Sequence, residues 1–239
     1  MKVALCGYNW IGCHCLRRLL DAGHDVAVFT HESPYHINSL LEYALKSGVD
    51  VTTEPIATGR LQTKPDILCS VFYREIIPRD VLQTVEGKAF NVHPSLLPEY
   101  RGCSSLTWAM INGESEVGYT YHYLTQDVDR GDIILQRPIL VEDFDTQQSL
   151  YERVMFEAAK DFMPAFSLVT ENISGIPQPR GVGQHYRRGC PHGGQIDPTW
   201  NDEKVERFVR AMIAPPLPVA TYCGTPIRTF REYRQIVDQ

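Results

Sequence analysis

Short apolar runs alternate with stretches of helical period through the first ninety residues. Residues 2–6 read as a buried strand that closes at Gly7. Ile11, Cys15, Leu16, Leu19 and Leu20 then recur at helical spacing, and Gly23 marks the stop. Residues 25–30 predict a second strand, and Ile37, Leu40, Leu41 and Ala44 a second helix that ends at Gly48. Further strands are expected at 50–53, 67–72 and 89–93. Such alternation implies a mostly parallel sheet with helices on both faces, an α/β Rossmann-like arrangement.

The pattern changes after residue 100. Residues 117–124 and 132–141 read as two strands joined by a polar loop at 125–131. Helical spacing returns from Thr146 to about Leu168, with Ser149, Thr146 or Asp145 available as N-cap. Residues 176–198 are rich in Pro and Gly and predict a long loop. Asn201 can cap a short helix bearing Val205, Phe208, Val209 and Met212, which Pro215, Pro216 and Pro218 would end. Residues 219–222 and 226–230 predict a terminal hairpin. The expected organisation is a catalytic domain over 1–175 and a small C-terminal extension over 176–239, too short for an independent core.

Composition narrows the function classes. Hydrophobic residues make up 43% of the 239 and charged ones 22%, as in an ordinary globular protein. No apolar run approaches the roughly 18 residues of a membrane span. The apolar start at 1–6 is too brief for a signal-peptide core, so a cytoplasmic protein is expected. The net charge of -6 argues against nucleic acid as main partner, because phosphate binding needs a basic footprint. The seven Cys are odd in number and irregular in spacing, which favours a reducing compartment over a disulfide framework. Cys6, Cys13, His14 and Cys15 lie close in sequence, but Cys6 and Cys15 fall in apolar patterns where thiols pack as small hydrophobes. No metal is expected.

The chemistry concentrates in Asn91-Val92-His93-Pro94-Ser95-Leu96-Leu97-Pro98, followed by Glu99-Tyr100-Arg101-Gly102. Asn91 and His93 sit at the end of a predicted strand, and period two puts them on one side. The carboxyl end of a parallel strand is where open α/β sheets hold ligands. The loop Gln126-Asp127-Val128-Asp129-Arg130-Gly131-Asp132 offers carboxylates to the histidine. Ser95 lacks a Gly-x-Ser-x-Gly elbow and reads as a turn residue. His122 lies in a strand whose Tyr119, Tyr121 and Tyr123 share a face, and its expected role is structural.

Taken together, these two segments resemble the active-site signature of the 10-formyltetrahydrofolate-dependent formyltransferases. That family includes glycinamide ribonucleotide, methionyl-tRNA and sugar-nucleotide formyltransferases. The resemblance implies a formyltransferase fold, no metal, and a catalytic trio of Asn91, His93 and Asp129. It implies that 10-formyltetrahydrofolate is the co-substrate. Phe72, Tyr73, Arg74, Ile76 and Ile77 resemble the loop that binds the pterin, with Gln126 and Asp127 closing the other side. A plainer reading of 72–78 is a strand-to-helix connection with Pro78 in the first helical turn.

Gly7-Tyr8-Asn9-Trp10-Ile11-Gly12 lacks Gly-x-Gly-x-x-Gly and departs from the phosphate loop of the purine enzymes. The short acidic chain departs from the tRNA enzymes, which carry a basic extra domain. Phe29-Thr30-His31-Glu32 and the tail segments Tyr186-Arg187-Arg188 and Gly194-Gln195-Ile196-Asp197-Pro198 resemble enzymes that formylate nucleotide-linked 4-amino-4,6-dideoxyhexoses, such as GDP-perosamine or a dTDP-linked equivalent. The implied partner is a nucleotide-linked amino sugar, with Tyr8, Asn9, Trp10, Arg101, Trp108, Arg187 and Asp197 as candidate contacts. Arg187 or Arg188 would pair with the pyrophosphate and an aromatic ring would stack on the base. The resemblance also implies a homodimer. Two alternatives stand beside it: formylation of a UDP-linked aminopentose, and a catalytically silent folate- or nucleotide-binding protein.

Overall fold

A computed structural model describes residues 1–34, 37–215 and 217–238; Pro216, expected to help end a helix, lies outside them. In chain order the first elements are β1 (Lys2–Gly7), α1 (Asn9–Asp21), β2 (Asp25–Phe29), α2 (Leu40–Lys46), β3 (Asp50–Thr52), β4 (Ile67–Val71), α3 (Arg79–Thr84) and β5 (Ala89–His93). Then come β6 (Arg101–Gly102), α4 (Ser105–Asn112), β7 (Glu116–Tyr123), β8 (Ile133–Leu140), α5 (Gln147–Lys160) and α6 (Phe162–Thr170). The chain ends with β9 (His185–Tyr186), α7 (Asp202–Ala211), β10 (Ala220–Tyr222), β11 (Thr225–Ile227) and α8 (Phe230–Val237).

The main sheet has seven strands in the order β3-β2-β1-β4-β5-β7-β8. The first five pair in parallel and β7 runs antiparallel to β5. Strands β1 and β4 are buried on both faces, which is why they read as continuous apolar runs. Cys6, Cys15 and Cys69 are wholly buried among them, and burial pushes the Cys6 thiol up. The order reverses between β1 and β4, a topological switch point with ligand-binding potential at the carboxyl ends.

The chain forms two compact units. One comprises Met1–His93, Thr120–Gln136 and Met155–Pro179; the other comprises Pro94–Tyr119, Arg137–Val154 and Arg180–Gln239. Compactness therefore divides the chain differently from the expected 1–175 and 176–239.

Several elements differ from the sequence expectation. The helix expected over 146–168 is two helices, because Pro164 lacks an N–H and fits a first turn better than a helix interior. Thr146 caps α5: its Oγ1 accepts from Ser149 N–H at 3.2 Å, and Ser149 Oγ accepts from Thr146 N–H at 3.0 Å. Ile37 precedes α2, which starts after Ser39, whose hydroxyl accepts from Glu42 N–H. Helices α4 and α8 were not expected, and α3 only as the helix that would follow Pro78. The terminal hairpin stops at Ile227, and Phe230 opens α8 behind Thr229. There Thr229 Oγ1 accepts from Glu232 N–H at 3.1 Å, while the Glu232 carboxylate accepts from Arg228 N–H at 2.7 Å. The Thr-x-x-Glu spacing was a legible start signal.

Candidate active site

Strand β5 presents Asn91 and His93 on one face. Its antiparallel neighbour β7 places His122 opposite Asn91 and Thr120 opposite His93. Directly opposed residues share a face, so four polar positions meet there. The alternate residues of the same strands, Phe90, Val92 and Tyr121, are buried apolar ones. Phe90 packs against Tyr121 and Phe162 at ring separations of 6.0 Å. A well-packed core thus fixes the backbone that aims the polar face.

Asp129 enters from the loop between β7 and β8. Its Oδ2 lies 3.4 Å from His93 Nδ1, and its Oδ1 lies 3.5 Å from His122 Nε2. Asn91 Nδ2 lies 3.2 Å from the same His122 nitrogen. His122 Nδ1 lies 2.9 Å from the Tyr123 carbonyl. A carbonyl can only accept, so Nδ1 carries the proton, and in the neutral ring Nε2 accepts from Asn91. Residue exposure is 4% for His93 and 1% for His122. At such depth hydrogen bonds and ion pairs are stronger than in water.

The structure therefore brings Asn91, His93 and Asp129 together and adds His122, which the sequence reading set aside as structural. The signal was present: tyrosines at 119, 121 and 123 on one face leave Gly118, Thr120 and His122 on the other. What was missing was the pairing of β7 with β5. His122→Leu should keep the fold yet free the Asn91 amide to turn, lowering kcat by up to about 10²-fold, as small misplacements of reacting groups do. Steady-state kinetics with an unchanged kcat would show that Asn91 needs no orienting partner.

Backbone geometry fixes the Asp129 loop. Asp129 has φ +53°, in the left-handed region. Gly131 runs so close to β7 that a Cβ there would sit 1.7 Å from the Tyr123 carbonyl oxygen. No larger residue fits without moving the loop and its carboxylate.

The candidate cofactor residues divide into two groups. Gln126 and Asp127 line a cavity of about 680 Å³ with Arg79, Leu82, Gln83, Glu86, Gly87, Leu124 and Thr125. Phe72, Tyr73, Arg74 and Ile76 form the turn after β4, with Ile76 77% exposed. Ile77 is instead a core residue beside Ala4, Cys6 and Val81. Tyr73 stacks on His31 with ring centroids 4.8 Å apart, and its hydroxyl accepts from Ile56 N–H at 3.2 Å. Burial pushes that phenol up to about 12. His31 Nε2 accepts from Arg74 N–H at 3.2 Å, which ties the turn to the end of β2. Pro78 is the N-cap of α3, so the segment also makes the strand-to-helix connection.

Among the candidate substrate residues, Tyr8, Asn9 and Trp10 follow β1 in the first unit. Asn9 is buried, with φ +66°. Arg101, Trp108, Arg187 and Asp197 lie in the second. Arg101 is buried, and its Nη2 donates to the Val182 and Gly183 carbonyls at 2.9 and 2.7 Å. Trp108 stacks on Tyr186 at 4.8 Å, and Tyr186 stacks on Tyr100 at 5.6 Å. Arg187 is exposed. Asp197 Oδ1 accepts from the Thr199 hydroxyl and amide at 2.7 and 2.8 Å, which holds its carboxyl below the usual range. Arg101 and Asp197 thus have structural partners that the sequence did not reveal.

Comparison with known proteins agrees with this geometry. The formyl transferase family profile matches residues 10–166. GDP-perosamine N-formyltransferase of Brucella melitensis is 34% identical over 227 residues, covering 92% of this chain and 87% of the relative. Solved structures show the same fold. The N-formyltransferase from Helicobacter canadensis, in complex with folinic acid and dTDP-3-aminofucose, superposes with a TM-score of 0.83 at 22% identity, covering 96% of this chain and 87% of that one. A 4-N formyltransferase from Francisella tularensis gives 0.74 at 20% identity, covering 92% and 91%. A profile match over residues 10–166 and 34% identity across 92% of its length place this chain in the formyl transferase family.

Proposed function

We propose that this protein moves a formyl group from 10-formyltetrahydrofolate to the amine of a nucleotide-linked amino sugar, with a 4-amino-4,6-dideoxyhexose as acceptor. It would act in the cytoplasm as a homodimer in the synthesis of a surface polysaccharide such as O-antigen. Residues 1–175 would carry the formyltransferase part and 176–239 the extension. The observation that carries this reading is the cluster of the buried His93 and His122 with the half-buried Asn91 and Asp129 at the end of β5. The 34% identity to a GDP-perosamine enzyme supports the acceptor class.

The bound folate would supply a formyl carbon open to attack by an uncharged amine. Asn91 has two amide N–H groups; His122 takes one and the other serves the oxygen that gains negative charge. Asp129 lies beside Nδ1 of His93. The carboxylate favours the imidazolium, which adds a second donor to the same oxygen. Asp129 would take the proton that the amine loses, and as the formyl carbon–nitrogen bond to the folate breaks, tetrahydrofolate would leave with the proton that the His93 imidazolium donates. No serine or cysteine nucleophile is needed, because transfer can be direct. Gln126 and Asp127 would meet the folate from one side of the cavity beside α3, with the Phe72–Ile76 turn as a further contact. Its mixed apolar and polar lining suits a flat heterocycle with hydrogen-bonding edges. Tyr8, Asn9, Trp10, Trp108 and Arg187 would serve the nucleotide sugar.

A mass-spectrometric assay tests this. Protein and 10-formyltetrahydrofolate are offered GDP-perosamine, dTDP-4-amino-4,6-dideoxyglucose, its 3-amino isomer, UDP-4-amino-4-deoxyarabinose and glycinamide ribonucleotide. Formyl gain on a 4-amino-4,6-dideoxyhexose in preference to the rest is the expected result. Preference for the UDP-pentose would replace the acceptor, and no gain with folate binding intact would replace catalysis by binding alone.

A further inference from the structure

Gln178 lies far from the signature in sequence, yet its side chain ends at the Asp129 loop. Its Nε2 donates to the Asp129 carbonyl at 3.0 Å and to the Gly131 carbonyl at 2.8 Å. Both partners can only accept, so the amide group has one orientation. Its Oε1 is buried and makes no hydrogen bond among the described residues. A glutamine that spends both N–H groups on one loop, and leaves its own oxygen unsatisfied, is placed for that loop more than for its own stability.

The segment before it is fastened to the same region. Ile133 and Ile176 exchange backbone hydrogen bonds, each 2.8 Å, and the Tyr123 hydroxyl donates to the Ile173 carbonyl. Gly175 lets this strap pass, since a Cβ there would lie 2.7 Å from Asp132 Cβ. The strap thus grips the Asp129 loop at both ends, and Gln178 reaches the Asp129 and Gly131 carbonyls within it.

We propose that Gln178 is a positioning residue that holds Asp129, in its left-handed conformation, against His93 and His122. This rests on the functional reading above. Gln178 has no part in binding either substrate and acts only through the carboxylate it holds. Gln178→Met keeps the length of the side chain, removes both donors and also removes the unsatisfied oxygen, so its unfolding midpoint should stay close to that of the parent. Gln178→Glu keeps the shape and puts acceptors against acceptors, and either variant serves if the other folds poorly.

The experiment has two arms on the full chain. In the first, Gln178→Met should lower kcat about 10-fold or more while KM for both substrates stays within about two-fold, as expected for a group that acts in the transition state alone. In an Asp129→Asn background the same change should cost less than two-fold, because the group it acts through is already disabled. An unchanged kcat, or a loss that multiplies in full on Asp129→Asn, overturns the proposal. In the second arm, trypsin should cut at the exposed Arg130 several-fold faster in Gln178→Met than in the parent. Equal cleavage rates overturn the proposal without reference to activity. A parent protein that transfers no formyl group would defeat the functional reading and leave this second arm standing.

Discussion

Asn91→Ala and His93→Ala are each expected to fold, to bind folate, and to lose about 10²–10³ in kcat, the usual cost of removing one donor from an oxyanion site. Both side chains lie on the polar face at the end of a strand whose Phe90 and Val92 pack the core. The double variant should be little worse than the poorer single one, because groups that act as a unit do not add. Asp129→Asn should fall into the same range, since one carboxylate faces both histidines at 3.4 and 3.5 Å. The measurement is single-turnover formyl transfer with saturating folate, together with the folate dissociation constant. Near-normal transfer by either single variant would remove the mechanism; lost folate binding would place the residue in the binding site instead.

The second large effect is expected on stability. Asp145 is buried and collects a dense set of partners: the Arg153 guanidinium, the Ser149 hydroxyl at 3.0 Å and the Glu142 N–H at 2.8 Å. Its own carbonyl accepts from Arg210 at 2.9 Å, which joins the start of α5 to α7. Removing one member of a buried pair leaves an uncompensated charge and typically costs 3–5 kcal/mol. Arg153 keeps a third of its side chain in solvent, so Asp145→Ala should cost about 3 kcal/mol, at the low end of that range. Asp145→Asn, which keeps the acceptor oxygen, should cost less. Urea unfolding of both variants reads this directly, and a loss under about 1 kcal/mol for Asp145→Ala would show that the network carries no net stability.

Asp145 also shows how a sequence reading falls short. Beside Thr146 and Ser149 it was one of three cap candidates, and local chemistry could not rank them. Thr146 takes the cap because its backbone stands where the first free N–H groups point. Asp145 then turns inward to arginines at 153 and 210, and no local rule reaches residue 210. Arg101 follows the same logic: it reads as a candidate substrate contact, and folding buries it against the carbonyls at 182 and 183.

What the sequence determined by itself is whatever depends on near neighbours. Parallel β1, β2, β4 and β5 followed from apolar runs punctuated by glycine and helical stripes, and in β1 and β4 burial on both faces leaves no polar alternation to misread. Asn91 and His93 shared a face by the period of a strand, and the signature around them is long enough to mark the family. The missed helix α4 is short, and α8 follows a hairpin closely enough for its cap to be taken as strand. Tertiary structure decided the rest. His122 met Asn91 only when β7 paired with β5 in a register that sets the two opposite each other. Gln178 met Asp129 only when the strap from 173 to 178 folded against the loop. Pairing register and long-range closure depend on the whole chain's burial, and side chains 31 or 49 residues apart carry no local trace of it.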